Sequence, residues 1–210
     1  MNDAVTRVFV ASRNAKKIQE MERILAPLVP DVTVVGLDDV PFYEEPVEDA
    51  PTFEGNALIK ARAGFLATGL PSVADDSGLC VDALNGMPGV LSARWGGRPR
   101  GLDLGRDQRN NELLLDQLAD VPDAARSAHF TCSVAFVWAG GESVVEGRMD
   151  GRVIREVRGS GGFGYDVLFE ADDRPSLTTA ELSREDKDAI SHRGKALRQI
   201  GPRIAEALGR

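Results

Sequence analysis

Cysteine and histidine are scarce, with two of each in 210 residues. Cys80 and Cys132 sit in apolar, strand-like stretches (GLCVDAL and FTCSVAFVW) and no CxxC occurs. They read as buried free thiols, which argues against a zinc site or a thiol-based mechanism. Long apolar runs are missing as well, and none approaches the roughly 20 residues of a membrane helix. There is no basic excess. Lys and Arg total 25 against 33 Asp and Glu, a net charge of −8. A phosphate backbone needs a basic face, so general nucleic-acid binding is not expected. Met1 to Thr6 lacks the basic and apolar regions of a signal peptide, and the cytoplasm is the expected compartment. There is no GxxxxGK[ST] loop, no internal repeat and no low-complexity linker.

What is present is a globular composition, 42% hydrophobic and 28% charged, long enough for a sizeable core. Arg7 to Ala11 reads as a strand. Ala15 to Leu28 reads as a helix, with Ile18, Met21, Ile24, Leu25 and Leu28 at helical spacing, and Val32 to Leu37 as a second strand. This β-α-β opening predicts an α/β sheet. Asp38 to Pro51 is an acidic loop. Thr52 caps a helix running to Thr68, with Leu58, Ile59, Arg62, Phe65 and Leu66 setting its periodicity and Gly69 stopping it. Pro71 to Ala74 is a strand leading into Asp75-Asp76-Ser77-Gly78, and Leu79 to Leu84 a further extended piece. Asn85 to Arg100 is irregular and Asp107 to Leu118 helical. His129 to Trp138 and Ser143 to Val157 form a hairpin about Gly140-Gly141. A glycine loop, Arg158 to Gly164, and helix from about Ser183 complete the chain. The expectation is one domain over 1–210 with two lobes and a cleft between them.

Five stretches have the residue types for chemistry. Ser12-Arg13-Asn14-Ala15-Lys16-Lys17 joins a strand to a helix, where backbone donors, the positive end of the helix dipole and lysines can cradle phosphate. Its other reading is an ordinary helix cap with solvated lysines. Asp75-Asp76-Ser77-Gly78 sets two carboxylates side by side, which is costly without a cation or hydrogen bonds. It reads either as a magnesium site with one carboxylate acting as general base, or as an Asx turn closed by Gly78. Glu44 to Asp49 precedes a helix bearing Asn56 and Lys60 on one face, and its glutamates are candidates to share a metal with Asp76. Gly159 to Asp166 formally matches GxGxxG, but no helix follows it, so a dinucleotide fold is not indicated. There Phe163 or Tyr165 can stack on a purine and Asp166 can accept a hydrogen bond, the other reading being a glycine-rich hairpin with core aromatics. In the fifth stretch, Lys187 and His192 would diverge on one straight helix by ~140°. Convergence needs a break, for which Ser191 is a suitable cap. His192 and Arg193 then begin the second helix.

Taken in order, SRNAKK, PTFEGNALIKA, ADDSGL, GSGGFGYD and AELSREDKDAISHRG resemble the inosine triphosphate pyrophosphatase (Ham1-like) family, from about Val8 to Leu197. The resemblance implies an α/β fold with a long curved mixed β-sheet, two lobes and a nucleotide cleft. It implies a homodimer hydrolysing purine nucleoside triphosphates (ITP, dITP, XTP) to the monophosphate and pyrophosphate with Mg²⁺, Mn²⁺ being a possible substitute. Ser12, Arg13, Asn14, Ala15, Lys16 and Lys17 match the triphosphate loop. Asp76 matches the base and metal ligand, and Ser77 a substrate contact. Phe163, Gly164, Tyr165, Asp166, Lys187, His192 and Arg193 match nucleotide-binding positions. Two departures stand out. Ser12-Arg13-Asn14 replaces the usual Thr-Gly-Asn, and Pro46 to Pro51 replaces a Glu-Glu-Thr-Gly-like stretch, leaving Glu48 the best-placed metal ligand and Glu45 its rival.

The expected mechanism is in-line attack of water on the α-phosphate. Asp76 or its metal-bound water removes the proton, and Lys17, Lys60 and Lys187 stabilise pyrophosphate. Donors at His192-Arg193 would read O6 and Asp166 would read N1–H, favouring ITP and XTP over GTP, with ATP lowest. A non-hydrolysing nucleotide sensor and a pyrophosphatase for modified pyrimidine nucleotides are the alternatives.

Overall fold

A computed structural model describes residues 6–98 and 105–209. Its elements are β1 (Thr6–Val10), α1 (Ala15–Leu25), β2 (Val32–Val35), α2 (Phe53–Thr68), β3 (Ser72–Val81), β4 (Met87–Pro88), α3 (Arg106–Gln117), β5 (Ser127–Trp138), β6 (Gly141–Val153), β7 (Phe169–Ala171), α4 (Arg184–Ile190) and α5 (His192–Ala207). The strand order is β2-β1-β3-β5-β6-β7, with β4 on β3. Pairing of β1 with β2 and β3 is parallel, while β3–β4 and β6–β7 are antiparallel, so the sheet is mixed. Among the described residues no helix is long and apolar enough to cross a membrane.

The chain divides into two compact units, 1–76 with 132–147 and 192–210, and 77–131 with 148–191. In the first unit, side-chain alternation along the strands divides the core in two. Val8 and Val10 of β1, with Cys132, Val134 and Phe136 of β5, pack with Met21 of α1 and Leu197 of α5. The intervening Phe9, Ala135 and Val137 pack with Ala57 and Ala61 of α2. Both faces are covered, which explains why β1 is apolar without alternation. In the second unit, Leu79 and Val81 pack with Leu114 and Leu118, with Met149 and with Phe169.

The caps of α2 follow the sequence: Thr52 accepts from Gly55 N and Gly69 closes the helix at φ 69°. Its buried face does so in part: Leu58 and Phe65 pack on the core beside Ala57 and Ala61. Leu66 is 82% exposed, whereas Asn56, Ala57, Ala61 and Gly64 are buried. The small residues let α2 approach the Phe9 ring, where a Cβ on Gly64 would come within 2.8 Å of it. Leu66 is the large apolar residue that points away, while the closest approach is made by small residues that apolar periodicity does not single out.

The expected strand–turn–strand at 71–84 is also corrected. β3 runs unbroken through Asp75-Asp76-Ser77-Gly78. The two carboxylates are tolerated inside a strand because each meets cations or donors on its own face. Other boundaries move less. The helix expected to reach Leu28 stops at Leu25, and the hairpin turn is Ala139-Gly140. The stretch taken as irregular holds β4 and 3-10 turns, its Pro99 and Arg100 lying outside the described residues.

Candidate active site

Because neighbouring strand residues face opposite ways, Asp75 and Asp76 have different surroundings. Asp75 is 2% exposed. Its Oδ2 accepts from Lys17 Nζ at 2.9 Å and from Arg193 Nε and Nη2 at 3.1 and 3.0 Å. Arg193 donates through Nη1 to Glu20 at 2.8 Å. Two carboxylates meet two cations here, a charge-balanced buried quartet. Burial alone would raise the Asp75 pKa, but Lys17, Arg193 and Lys60 outweigh it and hold the carboxyl well below the usual range. Burial would depress Arg193, yet Asp75 and Glu20 keep it charged.

Asp76 faces α2. Asn56 Nδ2 donates to its Oδ2 at 3.0 Å, and Lys60 Nζ lies 3.6 Å from its Oδ1 and 3.1 Å from Glu48 Oε1. Asn56 is fully buried and also accepts from Ala50 N at 3.0 Å, so one amide ties the acidic loop to Asp76. Burial raises the Asp76 pKa most and Glu48 adds to it, exceeding the lowering by Lys60, Asn56 and Lys17. Its carboxyl is therefore more basic than an ordinary one. Burial would lower Lys60, but Asp75, Asp76 and Glu48 raise it and keep it an ammonium.

The donor set fits a hard divalent cation. Glu48 and Asp76 aim oxygens at one point, Lys60 Nζ, and carry two negative charges against its one. Among the described residues no group of three or more His, Cys, Asp or Glu side chains could hold a metal alone. Two carboxylates plus substrate oxygens suit Mg²⁺, which keeps several waters and seldom uses an all-protein cage. Glu45, the rival ligand, is engaged by Arg13 Nε at 2.6 Å. The residue that departs from the family pattern thus pairs with the competing glutamate.

In the first loop Asn14 caps α1 by accepting from Lys16 N and Lys17 N, and Ser12 Oγ accepts from Asn14 N. The helix-cap reading therefore holds for these side chains. Ala15 opens α1, and Lys17 turns inward to Asp75. Ser77 follows Asp76 on β3 and is half-buried.

The glycine loop belongs to the second unit, and here two expectations are corrected. Tyr165 is 3% exposed with its hydroxyl donating to Ser92 O at 3.0 Å, so it is a core residue and not a stacking platform. Asp166 is equally buried. Its Oδ2 accepts from Phe163 N at 2.8 Å and Lys187 Nζ at 2.6 Å, and its Oδ1 from Thr179 Oγ1 at 2.9 Å. It organises the loop instead of presenting an acceptor to a base. Gly162, at φ 69°, is required there, since a Cβ would collide with the Asp166 carboxylate. Phe163 is half-buried and carries the Lys187 ammonium 5.2 Å from its ring centroid, a cation–π distance. Lys187, expected at the leaving group, is placed with Phe163 and Asp166.

The helix break expected at Ser191 is present: α4 ends there and His192 begins α5. His192 is 6% and Arg193 1% exposed. Arg193, expected to read the base, serves in this structure as the internal counter-ion of Asp75 and Glu20. Sequence reasoning missed Glu20, Asp107, Asn111 and Thr179. Only Glu20 carried a signal, an acid on the otherwise apolar face of α1.

Residues 8–202 match the sequence model of the Ham1 family. A protein of Mycolicibacterium paratuberculosis named dITP/XTP pyrophosphatase is 56% identical over 204 residues, 97% of each chain. One of Nocardia farcinica with the same name is 56% identical over 98% of each chain. A crystal structure of a nucleoside-triphosphatase / dITP/XTP pyrophosphatase from Mycobacterium abscessus has TM-score 0.74 at 52% identity, covering 93% of this chain and 98% of its own. A HAM1 protein from Coxiella burnetii has TM-score 0.82 at 36% identity, covering 96% and 99%.

Proposed function

The chain belongs to the Ham1 family, and from that premise we propose how its side chains serve a magnesium-dependent pyrophosphatase acting on non-standard purine nucleoside triphosphates. It is a hydrolase of the nucleoside triphosphate anhydride bond that cleanses the nucleotide pool, as its dITP/XTP pyrophosphatase relatives support. The carrying observation is the convergence of Asp76, Glu48 and Lys60, with Asn56 tying Asp76 to the acidic loop at Ala50 N.

When bound, Mg²⁺ supplies charge neutralisation across the phosphate oxygens, with Asp76 and Glu48 as its protein ligands. Asp76 takes the proton from the water that attacks the α-phosphate. Lys60 stays charged and stabilises the pyrophosphate leaving group. The backbone donors of the Ser12–Lys17 loop bind the triphosphate. Phe163, backed by Lys187, stacks on the purine. The family resemblance further supports a homodimer, checked by light scattering. A soluble nucleotide substrate and the lack of a membrane-crossing helix among the described residues support the cytoplasm.

The test is pyrophosphate release from XTP, dITP and ATP, with Mg²⁺ and with EDTA. XTP and dITP should be preferred and EDTA should abolish turnover. Preference for ATP, or full activity in EDTA, overturns the reading. The metal ligand is tested separately. Glu48→Gln is expected to raise the Mg²⁺ concentration for half-maximal activity about tenfold or more, the scale reported for perturbing a metal site's supporting groups. Glu45→Gln, which loses only an exposed pair, should change it little. Equal requirements in the two variants would remove Glu48 from the site.

A further inference from the structure

Helix α3 has no role in the chemistry above, yet it grips the glycine loop at one residue. Gly164 N donates to Asp107 Oδ2 at 2.7 Å, and Asn111 Nδ2 donates to Gly164 O at 3.0 Å. Asp107 and Asn111 are four residues apart, hence on one face of α3. The peptides on both sides of Gly164 are thereby held, the first of them being the peptide that Phe163 contributes. From its other side Phe163 is fixed by Asp166, which accepts its N–H. Gly164 itself is at φ 63° in open space, where a Cβ would meet nothing within 4 Å. Within the turn that Asp166 N closes onto Phe163 O, these two hydrogen bonds hold it where its own packing does not. The helix that grips it is firmly seated: Leu114 is fully buried, and Asn110 bonds Ser92 O, Ala93 O and Gly96 N. The Asp107 bond is charge-assisted, the stronger kind.

We propose that Asp107 and Asn111 are positioning residues for base recognition, holding the Phe163–Gly164 peptide so that the Phe163 ring is presented in one orientation. This rests on the reading of Phe163 as the base platform. Removing the grip would let the loop relax about Gly164 and weaken binding of a nucleotide through its base, without affecting the groups around Asp76.

The experiment compares Asp107→Ala and Asp107→Asn with the parent. Asp107 is partly exposed, so both variants are expected to fold, checked by melting temperature. Asp107→Ala should raise KM for XTP about tenfold, the size expected from losing one hydrogen bond to a charged group, with kcat nearly unchanged. The inhibition constant of inorganic tripolyphosphate, which has no base, should stay at the parent value. Asp107→Asn keeps an acceptor oxygen and should recover most of the loss. An unchanged KM for XTP in Asp107→Ala, or tripolyphosphate weakened in parallel, overturns the proposal. A second readout is independent of turnover. In a Phe163→Trp background, Asp107→Ala should lower tryptophan anisotropy at the red edge of excitation, relative to Phe163→Trp alone. Unchanged anisotropy would show that the loop is not held by Asp107. A parent that releases no pyrophosphate from any nucleotide would instead overturn the functional reading, leaving the anisotropy comparison to decide the grip.

Discussion

Asp76→Asn is expected to fold as the parent does and to lose roughly 10²- to 10⁴-fold in kcat, the range for removing a general base. The fold is spared because an asparagine still offers an oxygen to Asn56 Nδ2. It also removes one of two acids crowded around Lys60. What is lost is the carboxylate placed beside Asn56 and Lys60 to take the proton from the attacking water. Steady-state rates with XTP and a thermal melt check both halves. Near-parental turnover in a folded variant would remove Asp76 from the mechanism.

The second large effect is on stability. Arg193→Met should destabilise by roughly 3–5 kcal/mol, the cost of breaking a buried ion pair and leaving its partner uncompensated. For a chain of this size that is a fall in Tm of roughly 6–20 °C. Asp75 and Glu20 would both lose their guanidinium in the interior. Lysine is no substitute, because it lacks the planar fork that reaches both acids. The pH dependence follows from the depressed pKa of Asp75. Its stabilising contribution is fully present above the unfolded carboxylate value, about 4. It is lost as pH falls through the much lower folded value, since the unfolded chain takes up the proton first. In Arg193→Met the folded pKa rises, so the loss of stability between about pH 5 and 2 should become shallower. Denaturant melts across that range measure it. A variant with parental Tm and the same acid slope would show that the quartet contributes nothing.

Much of the fold was legible because it rests on local chemistry. Thr52 and Gly69 bound α2 where their side chain and missing Cβ say they must, and Ser191 marks the break between α4 and α5. That Asn56 and Lys60 would share one face was legible too, from their helical spacing, and the structure sets both beside Asp76. What sequence could not show was how individual groups are shared out. Asp75 and Asp76 are chemically alike, and only strand alternation sends one to a buried arginine and the other to the acidic loop. Asp166 and Arg193 were read as ligands because they match nucleotide-binding positions in the family resemblance. In the structure their capacity is taken up by Lys187 and Thr179, and by Asp75 and Glu20. Asp107 and Asn111 gave no sign, because their partner is a backbone peptide 57 and 53 residues away.

The quartet also bears on how the chain acquires its structure. Its first compact unit is assembled from three separated stretches, 1–76, 132–147 and 192–210. Arg193 lies 118 residues beyond the aspartate it neutralises. During synthesis Asp75 and Glu20 are made long before their guanidinium, and a nascent chain halted at the end of β5 offers Asp75 Lys17 and Lys60 but not Arg193. Contacts of such long range close slowly. The early strands therefore wait, with β1 flanked but its α5-facing side uncovered, for a helix still on the ribosome. Without α5 the core around Val8 and Val10 lacks Leu197, Ile200 and Ile204, and apolar surface left uncovered in this way is what makes partly folded chains prone to aggregate.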